Sequence, residues 1–279
     1  MSRNRCMQVV FVLTALAVAT VGVGCGEKEE AVTIPRTQAA DVQPEVKMVP
    51  KPTPEMDKAF EAFKKAQSVP AARVPMVAKA PEIDGVMDDI YKAATPLKFK
   101  FLVGGDDEPT APTTVYVVST DKELFIFYNC ESPDMDMVTE NVTEHDGAVW
   151  GDDSIEIFID PDNKRDVSGY MHIGINILGT TYEAKGPKGD ADATWDPKLR
   201  VKTKKGPKAW TMEVAIPFAE LVKDPAQMNR IWAVNFNRMA YLVADTEDTA
   251  WSQTGTTDSH VPSQFGCLWL DAGKVDNTK

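Results

Sequence analysis

The stretch from Trp150 to Asn163 constrains the fold more than any other. It reads Trp-Gly-Asp-Asp-Ser-Ile-Glu-Ile-Phe-Ile-Asp-Pro-Asp-Asn, so Ile155, Ile157 and Ile159 alternate with Ser154, Glu156, Phe158 and Asp160. Successive side chains of an extended chain point to opposite faces. A period of two, rich in β-branched residues, therefore predicts a strand with an apolar side. Asp160-Pro161 stops it, because proline has no amide to give to a ladder. Glu156 lies inside this strand, opposite the Ile face, where a carboxylate needs water or a hydrogen-bonding partner.

The same texture recurs from Val74 onward. Strands are predicted over Leu97–Leu102, Thr113–Ser119, Leu124–Cys130, Ser154–Asp160, Gly169–Asn176, Thr180–Lys185, Lys198–Thr203, Ala209–Ile216, Ile231–Tyr241 and Phe265–Leu270. Breakers such as Gly104-Gly105, Leu178-Gly179 and Gly206-Pro207 separate them. Short strands with hairpin-like spacing predict an all-β chain, an antiparallel β-sandwich with jelly-roll or immunoglobulin-like layers. Helical spacing is confined to Glu55–Ser68, where Met56, Phe60 and Phe63 share a face, and to turns over Val86–Ala94 and Phe218–Val222.

The start of the chain is of another kind. Arg3 and Arg5 precede an apolar run from Met7 to Val21, and small residues lead into Cys25, which is the pattern of a secretory signal. Gly22-Val23-Gly24-Cys25 resembles a bacterial lipobox, in which the Cys carries lipid; an ordinary cleaved signal is the alternative. Pro35, Pro44, Pro50, Pro52 and Pro54 then punctuate a stretch without hydrophobic period, which predicts an extended spacer. The expected organisation is a signal over 1–24, a lipidated Cys25 and linker over 25–54, a helical stalk over 55–73, a sandwich over 74–273 and a tail over 274–279. Such a chain would be secreted across the inner membrane and held at the cell envelope through Cys25. A formal charge of −12 argues against a nucleic-acid footprint, and the lysine run Lys202–Lys208, around Gly206-Pro207, reads as a solvated hairpin tip. Cys130 and Cys267 would then be the thiols left in the sandwich, either paired or free.

Several segments recur in the order of one known family. Ile83-Asp84-Gly85 with Asp88, Asp89 and Ala93 resembles the "IDG … D … W..A" opening of carbohydrate-binding module family 9-like domains, with Tyr91 where Trp is common. Trp150–Asp160 resembles the family's "W.DDSVEIFID" strand, and Trp210–Leu221 its "W..E.AIPF..L" segment. Asn176–Gly179, Trp195-Asp196, Asn235–Arg238, Trp251-Ser252 and Pro262 with Phe265-Gly266 continue the series. The resemblance covers about residues 80 to 271. It implies a non-catalytic sugar-binding sandwich, working beside glycoside hydrolases carried on other chains, with Trp side chains that hold a terminal sugar. Relatives of this sandwich in other branches hold haem. A haem module and a purely structural envelope protein therefore remain open beside it.

Sugar recognition needs a flat apolar surface for the pyranose CH face, ringed by groups that hydrogen-bond hydroxyls. Trp150, Trp195 and Trp251 lie at strand ends beside polar residues and are candidate platforms, whereas Trp210, Trp232 and Trp269 fit a core. Strand parity puts Glu156, His172, Asn176, Asn235 and Asn237 on one polar surface if their strands share a sheet. Gly174 in its middle leaves room for a ligand or for close packing. Arg238 has the wrong parity unless a bulge re-aims it, yet it stands where the family has an Arg and suits vicinal hydroxyls or Glu156. Asp160 and Asp162 offer hard oxygen ligands for a structural calcium, although no cofactor is required; an acidic turn without an ion is the alternative. No pair of carboxylates stands out as glycosidase acid and nucleophile.

Overall fold

The computed structural model describes residues 52–186, 192–243 and 245–272. Helix α1 (Pro54–Ala66) leads into strands β1 (Ala71–Val74), β2 (Leu97–Lys98), β3 (Phe101–Leu102), β4 (Thr113–Ser119), β5 (Glu123–Glu131), β6 (Ser154–Asp160) and β7 (Met171–Asn176). Strands β8 (Thr181–Lys185), β9 (Arg200–Lys205) and β10 (Ala209–Pro217) follow, then a helical turn α2 (Phe218–Leu221) and strands β11 (Ile231–Tyr241), β12 (Thr246–Ala250) and β13 (Gly266–Leu270). They form two sheets. One has the order β1-β13-β11-β6-β7-β8, with β12 on the far half of β11 and β3 beside it; the other is β2-β4-β5-β10-β9. The expected β-sandwich is the observed fold. Among the described residues no helix is long and apolar enough to cross a membrane.

Strand β6 lies inside the larger sheet, between β11 and β7. Its register sets Ile157 against Phe236 on one side and Ile173 on the other. Antiparallel partners share a face, so Ile155, Ile157, Ile159, Ile173, Ile175, Val234 and Phe236 make one inner layer. It meets Val115, Val117, Ile126, Tyr128, Met212 and Val214 of the second sheet, all of them buried. Burial of such side chains stabilises by roughly 1.5–3 kcal/mol each. The apolar parity read from the sequence is therefore the core itself.

Some boundaries differ. The run Leu97–Leu102 is not one strand, because it crosses between sheets: β2 pairs with β4, and β3 pairs with β12. Strand β12, Thr-Glu-Asp-Thr-Ala, carries no apolar alternation and is held by its main-chain ladder to β11 and by Glu247. The Glu247 carboxylate accepts from the Thr110 amide and hydroxyl and from the Ala111 amide. Strand β1 is a short parallel partner of β13. Helix α1 packs on the sandwich, with the Phe60 and Phe63 rings 6.0 and 5.3 Å from that of Trp269. Cys130 and Cys267 are both buried and unpaired.

The Ile83-Asp84-Gly85 turn covers the outer face of the smaller sheet. Glu213 of β10 accepts from the Asp84 and Gly85 amides and from the Tyr91 hydroxyl, the last at 2.8 Å. Those bonds account for a buried carboxylate in a strand.

Arg238 stands opposite Ile155 in the β11–β6 register, so it enters the core, and no bulge re-aims it. Its Nη1 donates to the carbonyls of Ala111 and Glu131 and to the Thr113 hydroxyl at 2.7–3.2 Å. Its guanidinium lies over the Trp210 ring and 3.9 Å from Asp153. Arg238 thus ties the two sheets together, and the pairing with Glu156 does not form. Removing one partner of a buried charged set leaves the others desolvated. Arg238→Ala is expected to destabilise the domain by about 3–5 kcal/mol, a Tm drop on the order of 10 °C by calorimetry. A shift below ~1 kcal/mol would contradict this reading of the strap.

Candidate functional site

The other face of the larger sheet carries a cross-strand row. Tyr182 of β8 stands opposite Gly174 of β7, Gly174 opposite Glu156 of β6, and Glu156 opposite Asn237 of β11. Two loops close over this face. The loop before β6 ends in a 3-10 turn, Val149–Gly151, which carries Trp150. The loop after β12 brings in Ser252, Ser259 and His260: Ser252 is bonded to Asn235, Ser259 to Asn237, and His260 to Tyr170.

Trp150 is 41% exposed. Its ring meets that of Tyr182 edge-on at 5.1 Å, and Tyr182 meets the His172 ring at 5.4 Å. The turn is set by its neighbour Val149. A Cβ on Gly174 would stand 2.8 Å from Val149 Cγ2, so the missing side chain of β7 is the slot that Val149 fills. Gly174 serves close packing.

The acids around the turn are straps. Asp152 accepts from the Asn141 and Val142 amides and from Asn176 Nδ2, and Asp153 accepts from the Thr139 amide. Asn176 also accepts from the Leu178 and Thr180 amides, so its amide is spent inside the fold. Asn235 is engaged in the same way with Ser252 and the Phe236 amide.

What remains on the outer face of the larger sheet is a compact polar group. His172 Nε2 lies 2.8 Å from Glu156 Oε1, and its ring stacks on Phe158 at 4.6 Å. Asn237 Nδ2 donates to the Ser259 hydroxyl, which in turn donates to Asp248 Oδ2 at 3.1 Å. Asn237 Oδ1 and Asp248 Oδ1 are buried without a hydrogen-bond partner among the described residues. Burial, with the Glu156 charge added, pushes the Asp248 carboxyl up to about 7, and the Ser259 and Asn237 hydrogen bonds offset only part of this. Near neutrality Asp248 therefore both donates and accepts, as sugar hydroxyls do.

Residues 83–272 match the carbohydrate family 9 binding domain-like family. The chain belongs to this family. It is 26% identical over 197 residues to endo-1,4-beta-xylanase A of Thermotoga neapolitana, a likeness that takes in 68% of this chain but 17% of that protein. Two solved structures of a carbohydrate binding module family 9 from Caldicellulosiruptor kristjanssonii share the fold. The complex with cellotriose is 18% identical, with a TM-score of 0.56 over 75% of this chain and 97% of that one. The complex with glucose is 21% identical, with a TM-score of 0.54 over 74% and 98%.

Within this family 9 sandwich the predicted site residues divide. Trp150, Glu156, His172 and Asn237 come together on one face, with Asn176 below them as a strap. Arg238 points into the core. Trp251 does too: its ring packs 5.9 Å from Phe236 and over Gly266, where an added Cβ would meet it at 2.4 Å. Trp195 stands beneath the Lys185 ammonium, whose strand position puts it on the opposite side of β8 from Tyr182. The three tryptophans therefore do not form one platform. Asp160 accepts from the Asp162 and Arg165 amides, and Asp162 pairs with Lys164 at 2.7 Å, so these carboxylates serve the turn after β6. Cys25 lies outside the described residues.

Tyr182, Asp248, Ser259 and His260 were missed. Tyr182 was readable by parity from Gly174, but Asp248 sits in a strand without apolar pattern. The raised Asp248 pKa means that the folded state holds a proton the unfolded chain releases near pH 4. Its contribution is favourable at low pH and is lost as pH rises from about 4 to 7. Asp248→Asn is expected to remove this dependence: its stability relative to the parent rises across that window by roughly a few kcal/mol, as read from urea melts at stepped pH. A constant difference between the two proteins would refute the assignment.

Proposed function

We propose that this chain is a non-catalytic carbohydrate-binding protein whose sugar site is the Trp150 face of the larger sheet. The observation that carries the reading is the join of an exposed Trp ring, propped by Tyr182, to the Glu156–His172–Asn237–Asp248 group. A pyranose offers a CH face to such a ring and hydroxyls to such acids. Family membership supports the same reading, as do relatives solved with cellotriose and glucose. The ligand class is therefore a β-linked glucan or a related plant-type oligosaccharide. Trp195 and Trp251, with Arg238, do not contact this ligand; they hold the fold that presents it.

The wider role rests on sequence. A lipid on Cys25 would tether the domain at the bacterial envelope through the Pro-rich spacer. Held there, the domain would keep polysaccharide near glycoside hydrolases on other chains, in support of carbohydrate catabolism. A xylanase relative that is matched over so small a share of its length supports this association.

Titration calorimetry with glucose, cellotriose and xylo- and manno-oligosaccharides tests the site. Trp150→Ala is expected to keep the parent Tm and to raise Kd about tenfold or more, equivalent to ~1.4 kcal/mol. Trp251→Ala should lower Tm before it changes affinity. Binding of no sugar by the parent, or equal affinity in the Trp150 variant, would sink the proposal.

A further inference from the structure

On the opposite side of the edge strand β8, three ligand-type side chains converge. His145 from the loop before β6, Glu183 from β8 and Asp196 from the crossover to β9 place one ligand atom each within 4.8 Å of the others. His145 Nε2 is 3.0 Å from Glu183 Oε2 and 3.9 Å from Asp196 Oδ1. Donors on a tetrahedral zinc at about 2.0–2.2 Å stand roughly 3.4 Å apart. The two separations from His145 bracket that edge, and the third pair, Glu183 with Asp196, lies within 4.8 Å.

We propose that His145, Glu183 and Asp196 bind a first-row divalent transition ion, zinc in the first instance. Three further observations support it. Asp146 Oδ2 lies 3.4 Å from the other ring nitrogen, His145 Nδ1. If a metal took the place of the Nε2–Glu183 hydrogen bond, this carboxylate would stand ready to accept the Nδ1 proton, as an outer carboxylate does in histidine metal sites. The Asp146 amide donates to the Thr181 carbonyl of β8 at 2.9 Å, so main-chain bonding sets the approach of His145 to Glu183. The cluster also opens on a cavity of about 630 Å³, lined by Gly179, Thr181, Leu199 and Val201, which leaves a fourth position to water.

The ligand types select among cations. An imidazole with two carboxylates suits zinc or its neighbours, whereas calcium takes six to eight oxygens and no imidazole. Glu183 is only 2% exposed, so a cation here would meet a carboxylate that water barely reaches. Bound metal would pin the crossover loop and the loop leading to Trp150 onto β8.

The test uses full-length, tag-free protein stripped with chelator and titrated with zinc chloride, with calcium chloride in parallel. One zinc per chain is expected, together with a Tm rise of several degrees in excess zinc and no such rise with calcium. His145→Ala should weaken zinc at least 100-fold and Asp146→Asn about 10-fold. Asp196 is 77% exposed, so Asp196→Asn folds as the parent does and should lose zinc as well. Zinc bound equally by the parent and by both His145→Ala and Asp196→Asn would overturn the site, and calcium bound in its place would overturn the choice of ion. Sugar affinity is measured separately, so failure here leaves the Trp150 reading standing, and the reverse also holds.

Discussion

A strand with neighbours on both edges has two faces to satisfy, and β6 buries both. Every residue from Ser154 to Asp160 is buried except Glu156, which keeps only 12% of its side-chain surface. The Ile face costs nothing to bury, because the second sheet lies over it. The Ser154–Glu156–Phe158–Asp160 face is different, since burying it requires partners for polar atoms and cover for an aromatic ring. Strand β7, the turn after β6 and the loop after β12 supply most of this. Phe158 is enclosed by Tyr170, Phe265, His172 and His260, and Glu156 is met by His172. The candidate sugar site is what lies where that covering stops.

Carboxylates do much of the closing. Asp152, Asp153, Asp160, Glu213 and Glu247 each accept main-chain amides from a loop that would otherwise be loose. An ionised oxygen meeting an amide gives a charge-assisted bond, stronger than a neutral pair. A net charge of −12 is therefore not only a matter of solubility, because part of the acid fixes loops from within. Taken as a line of residues, Asp152, Asp153 and Glu156 resemble catalytic acids. In space only Glu156 faces outward.

Parity explains both what the sequence shows and what it hides. Alternation on β6, β7 and β11 placed Glu156, His172 and Asn237 on one surface, because a sheet converts periodicity directly into sides. The same rule places Arg238 inward, opposite Ile155, and the β11–β6 ladder runs past it without a bulge. Parity is silent about residues outside strands, so Trp150, Trp195 and Trp251 read alike although they end on different sides. It is equally silent about β12, whose Thr-Glu-Asp-Thr-Ala is paired through main chain, and so Asp248 passed unnoticed. The His145–Glu183–Asp196 group joins two loops and a strand edge from three separate segments, which local pattern does not report.

The position of Trp150 follows from a residue that has no side chain. Val149 enters the slot above Gly174, which fixes the turn and turns the next ring outward onto Tyr182. Glu156 and Tyr182 flank that same glycine on either side, so one small residue sets the spacing between platform and hydrogen-bonding group. Beneath it Asp152 and Asn176 lock the loop to β7, so the ring is carried by a turn with few ways to move. A rigid aromatic loses little entropy when a ligand settles on it, which is the physical reason to expect recognition here rather than at the tryptophans already committed to packing.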